Sequence, residues 1–219
     1  MNFDLSTALA AVTPGRPLVV SDADGVLLRF TGGLERWLNR RGFVLELSST
    51  RLEGAVKRRD DGSPLLEVET TALIEEYRAD LDWLDAVEGA CAALAELSRV
   101  ANVVVLSNIN HRQAVARRRN LEKLGLDFPL IANDGGGGYL ADKGAAVKAL
   151  AARARAPAFF IDDIPSNLAD VAKSAPGVTL IHLAESPELR RLVGTGFPAH
   201  CHAADWAEAT RFILERVGS

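Results

Sequence analysis

The chain has 219 residues, 48% of them hydrophobic and 25% charged, with 25 Lys and Arg against 29 Asp and Glu and a formal net charge of -4. That balance fits an ordinary globular protein rather than a disordered or fibrous one, and no window reaches the apolar length that a bilayer requires. It carries no cationic footprint for a nucleic-acid polymer or an acidic membrane surface, so a small molecule is the expected partner.

Cys91 and Cys201 lie far apart, without CxxC or metal-ligand spacing, and read as free thiols of a reducing compartment. The opening Met1-Asn2-Phe3-Asp4-Leu5 lacks the basic, apolar and cleavage-site succession of a secretory leader, so a cytoplasmic location is expected. Nothing in the sequence sets an oligomeric state.

In chain order, residues 18–21 predict a strand and 33–41 a helix. Thr50-Arg51-Leu52-Glu53 fits a capping box opening a second helix, Ser63-Pro64 an N-cap followed by proline at the first helical position, and 70–84 a further helix. Strands at 103–107, 130–132, 158–162 and 178–182 then alternate with helices at 85–99, 111–124, 142–155, 166–174, 187–193 and about 205–217. The strands are continuously apolar, as strands covered on both faces are. Residues 135–138, four glycines just before Asp142-Lys143, read as a flexible loop.

About eighty residues lie between the first two strands of this series, far more than a crossover needs. The expected fold is therefore α/β, a doubly wound parallel sheet with a small helical cap inserted after the first strand. Its catalytic core would span 1–29 and 86–219, and its cap 30–85.

Four features fall where parallel sheets place ligands, beyond the carboxyl ends of the strands. Val19-Val20-Ser21-Asp22-Ala23-Asp24-Gly25-Val26 ends an apolar strand in two carboxylates. Val103-Val104-Val105-Leu106-Ser107-Asn108 delivers a hydroxyl, Lys143 stands near a helix start, and Phe159-Phe160-Ile161-Asp162-Asp163 delivers an acidic pair. Together they answer the needs of phosphoryl transfer. A carboxylate approaching a phosphate meets repulsion of about 4 kcal/mol per unit-charge pair at about 4 Å, in an effective dielectric of about 20. A divalent cation held by Asp22, the Asp24 backbone carbonyl and Asp162, with Asp163 as an outer ligand, offsets it, and such hard oxygen ligands suit Mg2+. Ser107 and the N–H groups that follow Asp22 and Ser107, the latter that of Asn108, can cradle phosphoryl oxygens. Lys143 holds the phosphate and keeps Asp22 ionised. Asp22 then acts as nucleophile and Asp24 as acid and base.

With Asp22-Ala23-Asp24-Gly25-Val26, Ser107-Asn108, Lys143 and Asp162-Asp163 in that order, the chain resembles the haloacid-dehalogenase-like hydrolase superfamily. The resemblance covers about residues 18–182, and the insertion looks like that superfamily's cap of the first type. Asp24 implies the phosphatase and phosphomutase branches, because dehalogenases and transport ATPases share the pattern without an acid there. Asp22-Ala23-Asp24-Gly25-Val26-Leu27 with Phe30, and Leu168 after Ile161-Asp162-Asp163, is most similar to the 5'(3')-deoxyribonucleotidase group. Arg29 stands where that group usually has Asp, and Ser107-Asn108 where it has Thr-Ser. The resemblance implies Mg2+-dependent hydrolysis of a small phosphorylated metabolite, such as a nucleotide or sugar phosphate, through an aspartyl-phosphate. A phosphomutase or phosphotransferase on the same core is the first alternative, and an inactive binding protein the second.

Each of these residues also has a plainer reading. Asp22 and Asp24 could be turn residues, Ser107 or Asn108 could cap the following helix, Lys143 could be a solvated helix residue, and Asp163 could cap the helix near Pro165. His111 reads as a helix-start histidine rather than a substrate contact. His200-Cys201-His202 lacks a third ligand at metal spacing. Lys57-Arg58-Arg59-Asp60-Asp61 reads as a solvated surface, and Trp37, Phe43, Tyr77 and Trp83 as core of the insertion.

Overall fold

The computed structural model describes residues 3–48, 52, 54–79, 81–134 and 142–218. In chain order the first elements are α1 (Leu5–Ala11), β1 (Leu18–Ser21), α2 (Phe30–Asn39), β2 (Phe43–Leu45), β3 (Val56–Arg58) and α3 (Glu67–Arg78). Then follow α4 (Ala90–Leu97), β4 (Asn102–Ser107), α5 (His111–Lys123), β5 (Leu130–Ala132), α6 (Gly144–Ala154), β6 (Ala158–Asp162), α7 (Pro165–Ser174), β7 (Thr179–His182), α8 (Pro187–Val193), β8 (Cys201–His202) and α9 (Trp206–Val217). No described helix is long and apolar enough to cross a membrane.

Among the described residues, six strands form one sheet in the order β5-β4-β1-β6-β7-β8 with every pairing parallel, and β2 and β3 form a separate antiparallel pair. The doubly wound α/β architecture expected from the alternating pattern is present. Because strand side chains alternate between faces, Val19, Val103, Val105, Phe159 and Ile161 pack in one apolar cluster, while Leu18, Val20, Val104, Leu106 and Phe160 pack in another. The first cluster continues into the insertion through Trp37, Val56, Leu65, Ile74 and Tyr77.

The insertion differs from its expected form between α2 and α3. Ser63-Pro64 does not open a helix: Pro64 bridges Lys57 at the edge of the β2–β3 hairpin, a place where its missing N–H costs no ladder bond. The helix expected at 70–84 is α3, which begins three residues earlier, at Glu67, where the Glu69 side chain accepts the Leu66 N–H at 2.9 Å, and ends at Arg78, short of the expected Leu84. Thr50 and Glu53, the partners of the proposed capping box, and the glycine run at 135–138 lie outside the described residues. α4 starts only at Ala90, because Gly89 takes the left-handed conformation (φ 80°) that ends the preceding extended segment. α1 and the short edge strand β8 add to the expected set; α1 is opened by Asp4, whose side chain accepts the Thr7 N–H.

Two contacts tie the ends of the insertion to the sheet. Asn120 on α5 accepts the Leu84 N–H at 3.0 Å and donates to the Leu84 carbonyl at 2.9 Å, pairing with the returning backbone as a strand would. At the other end, Trp206 at the start of α9 donates its indole N–H to the Val26 carbonyl at 2.9 Å, holding the loop beyond β1. Since both Leu84 groups are buried with Asn120, Asn120→Ala is expected to destabilise the chain by about 2–4 kcal/mol, read from urea unfolding midpoints at unchanged slope.

Candidate active site

Parallel register brings the acidic residues together. Ser21 on β1 lies level with Ile161 on β6 and Val105 on β4, so the next residue, Asp22, stands beside Asp162 on a neighbouring strand about 4.8 Å away. Two like charges side by side are unfavourable. The Lys143 ammonium resolves the conflict: it donates to Asp22 Oδ1 at 2.7 Å and to Asp162 Oδ2 at 2.8 Å, while only 1% exposed. Lys143 occupies the N-cap position of α6 and is no solvated helix residue. Burial pulls its pKa down, but Asp162 and Asp22 outweigh that and the net shift is upward.

Asp163 completes a carboxylate trio with Asp22 and Asp162, their oxygens within 4.8 Å of one another. Asp162 is engaged by the chain itself. Its Oδ1 accepts from the Ile164 N–H at 2.8 Å and the Asn167 amide at 3.0 Å, and its Oδ2 accepts from Lys143 and from Asn167 at 3.1 Å. By contrast, Asp163 Oδ1 is buried without a hydrogen-bond partner. Three carboxylates against one ammonium leave two negative charges if all ionise, and an orphaned oxygen sits among them; this donor set fits a hard divalent cation such as Mg2+. Asp163 does not cap α7, whose N-cap is Ile164. Gly25 lies against the Asp163 carboxylate with φ 82°, so a Cβ there would be strained and would collide with it.

Asp22, Asp24, Ser107, Asn108, Lys143 and Asp163 line one cleft of about 140 Å³, whose other walls include Phe30 and Arg78 from the insertion. Ser107 ends β4 and is 2% exposed. Neither Ser107 nor Asn108 caps α5, because Asn110 does so in a reciprocal box with Gln113. The Asn108 side chain accepts from the Asn133 amide at 2.8 Å, and that same amide reaches the Asp142 carbonyl at 3.2 Å, connecting the ends of β4 and β5 to the residue before Lys143.

Three partners of the site carry no local signal in the sequence. Asn167 positions Asp162, as described. Arg117 on α5, 3% exposed, places Nη2 at 2.7 Å from Asp24 Oδ1 and 2.9 Å from Oδ2. Glu185, beyond β7, accepts the Thr31 and Gly32 N–H groups at 3.1 and 2.8 Å and thereby starts α2 three residues earlier than its apolar pattern predicts. A search for carboxylates next to an apolar strand cannot find Arg117 or Glu185, because each is more than ninety residues from its partner, and Asn167, only five residues past Asp162, carries no pattern that marks it as that partner.

The remaining candidates stay apart from the cleft. His111 is exposed at the start of α5. His200 Nδ1 accepts the Leu180 N–H at 2.9 Å, and His202 meets His182 and Phe197 edge to face, with the His202 and His182 Nδ1 atoms 3.4 Å apart. Lys57 and Arg58 pair with Glu46 and Glu69 on the surface of the insertion, and Trp37 and Tyr77 are core. Both cysteines are free thiols.

Solved structures match this architecture along most of the chain. A haloacid-dehalogenase-like protein of unknown function from Agrobacterium tumefaciens aligns with a TM-score of 0.61 at 17% identity, over 92% of this chain and 99% of that one. The chain has the haloacid-dehalogenase-like fold. An L-2-haloacid dehalogenase of this fold aligns with a TM-score of 0.59 at 13% identity, covering 92% and 100% of the two chains. A Bacillus subtilis protein assigned to the HAD hydrolases, described with bound magnesium and an interdomain movement, gives 0.57 at 13% identity, covering 91% and 99%. No protein-family model and no curated protein sequence matches the chain.

The cluster has a pH signature. Burial pushes the Asp22 carboxyl up to about 7 against the pull of Lys143, and burial with Asp162 and Asp22 pushes Asp163 well above its ordinary range. Both shifts are upward, so in the cation-free chain the stability these carboxyls contribute is complete below their usual value of 3.8 and is lost as pH rises towards 7. In chelator, the unfolding temperature should therefore fall between pH 5 and pH 7.5. Millimolar Mg2+ should restore it by several degrees at the higher pH, about 2–4 °C per kcal/mol, and by less at the lower. Equal effects at both pH values would separate cation binding from this cluster.

Proposed function

We propose that the chain is a Mg2+-dependent phosphatase acting on a small phosphate monoester through an aspartyl-phosphate on Asp22. The observation that carries this reading is the salt-bridged cluster of Lys143 with Asp22 and Asp162, with a further carboxylate, Asp24, lining the cleft beside Asp22. Asp24 separates this reading from dehalogenation, because an ester leaving group needs a proton and a halide does not. The cleft is small beside the about 300–1,000 Å³ of sites for drug-sized ligands, which favours a compact metabolite over a polymer.

In the first half-reaction an Asp22 carboxylate oxygen attacks phosphorus, the bond to the alcohol oxygen breaks, and Asp24 gives that oxygen its proton. In the second, Asp24 takes a proton from water as the water oxygen attacks phosphorus, releasing phosphate and restoring Asp22. Lys143 holds Asp22 in place and offers a positive charge to the phosphoryl oxygens, and the Ser107 hydroxyl can donate to one of them. Mg2+ held by Asp22, Asp163 and the Asp24 carbonyl would neutralise charge between carboxylate and phosphate, a role supported by the magnesium described in the similar Bacillus subtilis protein. Asp162, occupied by Lys143 and Asn167, then serves to fix the lysine as much as the cation.

Release of phosphate from an aryl phosphate, with and without chelator and alongside a 2-haloacid control, tests the assignment. Turnover of the aryl phosphate that disappears on chelation is expected; halide release without phosphatase activity overturns it. Asp22→Asn should remove turnover entirely, and Asp24→Asn should lose about 10²–10⁴ in rate with the fold intact by circular dichroism.

A further inference from the structure

The cleft contains a buried guanidinium that the proposed half-reactions do not use. Arg117 sits in the middle of α5, 3% exposed, with one nitrogen straddling both oxygens of Asp24 and the other donating to the Leu81 carbonyl at 3.4 Å. Its Nε is buried without a partner. Stability does not explain such a group, because an apolar side chain of similar volume is commonly as good or better in a buried place.

Geometry supplies a different reason. Asp22 and Asp162 stand at the carboxyl ends of the two central strands, where strand register and Lys143 fix them. Asp24 lies two residues past Asp22 in the loop beyond β1, with its side chain 23% exposed, and Arg117 is the ion-pair partner that holds it. A group that gives a proton in one half-reaction and takes one in the next has to keep its place through both, and a displacement of about 1 Å costs on the order of 10²-fold. Arg117 is itself anchored, through α5 and the Leu81 carbonyl, to the segment that returns from the insertion.

We propose that Arg117 is the positioning residue for Asp24, fixing its carboxylate in the cleft and linking its placement to the returning segment of the insertion. This rests on the reading of Asp24 as the acid and base. It requires that the effect of Arg117 on turnover pass through Asp24.

The test uses the full chain with Mg2+ and two substrates, 4-nitrophenyl phosphate, whose leaving group needs little protonation, and benzyl phosphate, whose leaving group needs it. Arg117→Met should lower kcat for benzyl phosphate by about 10²-fold, with a much smaller loss for 4-nitrophenyl phosphate and KM changed by less than about threefold. Arg117→Lys should recover part of the loss. In an Asp24→Asn background, Arg117→Met should cost less than about twofold more, because its route of action is already gone. Equal losses for both substrates, or the same loss with and without the Asp24 carboxylate, would make Arg117 merely structural and overturn the proposal. If Arg117→Met alone does not fold, the double variant, which leaves no unpaired buried charge, and Arg117→Lys carry the comparison. An unchanged rate in Asp24→Asn by itself instead removes the acid–base assignment. A crystal structure of Arg117→Met provides a readout that needs no turnover: an Asp24 side chain turned from its place supports positioning, and one that has not moved overturns it.

Discussion

The Lys143 ammonium between Asp22 and Asp162 is the interaction on which the rest of the site depends. Parallel pairing of β1 with β6 forces the two carboxylates level with one another, and nearly complete burial removes the solvent that would otherwise screen them. One positive charge placed between them makes that juxtaposition at the carboxyl ends of the central strands tolerable. It leaves Asp163 with an unpartnered oxygen, and the trio with two net negative charges if all three carboxyls ionise, a donor set that fits a divalent cation.

Around that centre, α5 acts as a second frame. Arg117 and Asn120 lie three residues apart and so share a face, and that face meets the chain as it comes back from the insertion: Asn120 pairs with both backbone groups of Leu84, and Arg117 reaches the Leu81 carbonyl and Asp24. On the outgoing side, Glu185 fills the N-terminus of α2 with a carboxylate, a favourable place for negative charge. Burial raises the Glu185 pKa, while the two backbone N–H groups that it accepts oppose the rise. Both ends of the insertion are therefore held by polar side chains from the sheet's own elements, next to the cleft that Phe30, Thr31, Arg78 and Leu81 help to wall.

Much of this was legible in the residues themselves. Continuous apolar runs marked β1, β4, β5, β6 and β7 to within a residue, because a strand buried on both faces leaves no polar position to blur its limits. Asp22, Ser107 and Asp162 could be placed at strand ends for the same reason. The insertion was read less well. Its strands are three residues long and half-buried, too short for alternation to register, and Ser63-Pro64 has the same composition whether it opens a helix or edges a hairpin. β8, with two residues, gives no pattern at all.

By itself, the sequence determined the kinds of chemical group available and the order in which a parallel sheet would present them, because both follow from local composition and from a strand's period of two. Tertiary structure alone decided which oxygens are occupied and which are left over. Asp162 is taken up by Lys143 and Asn167, Asp163 keeps an orphaned oxygen, and Asp24 answers to an arginine 93 residues away. Such pairings are matters of distance and burial in the folded chain, across separate elements and, for Asp24, remote ones. An Arg on an exposed helix face and one buried against a carboxylate read alike until the chain is folded.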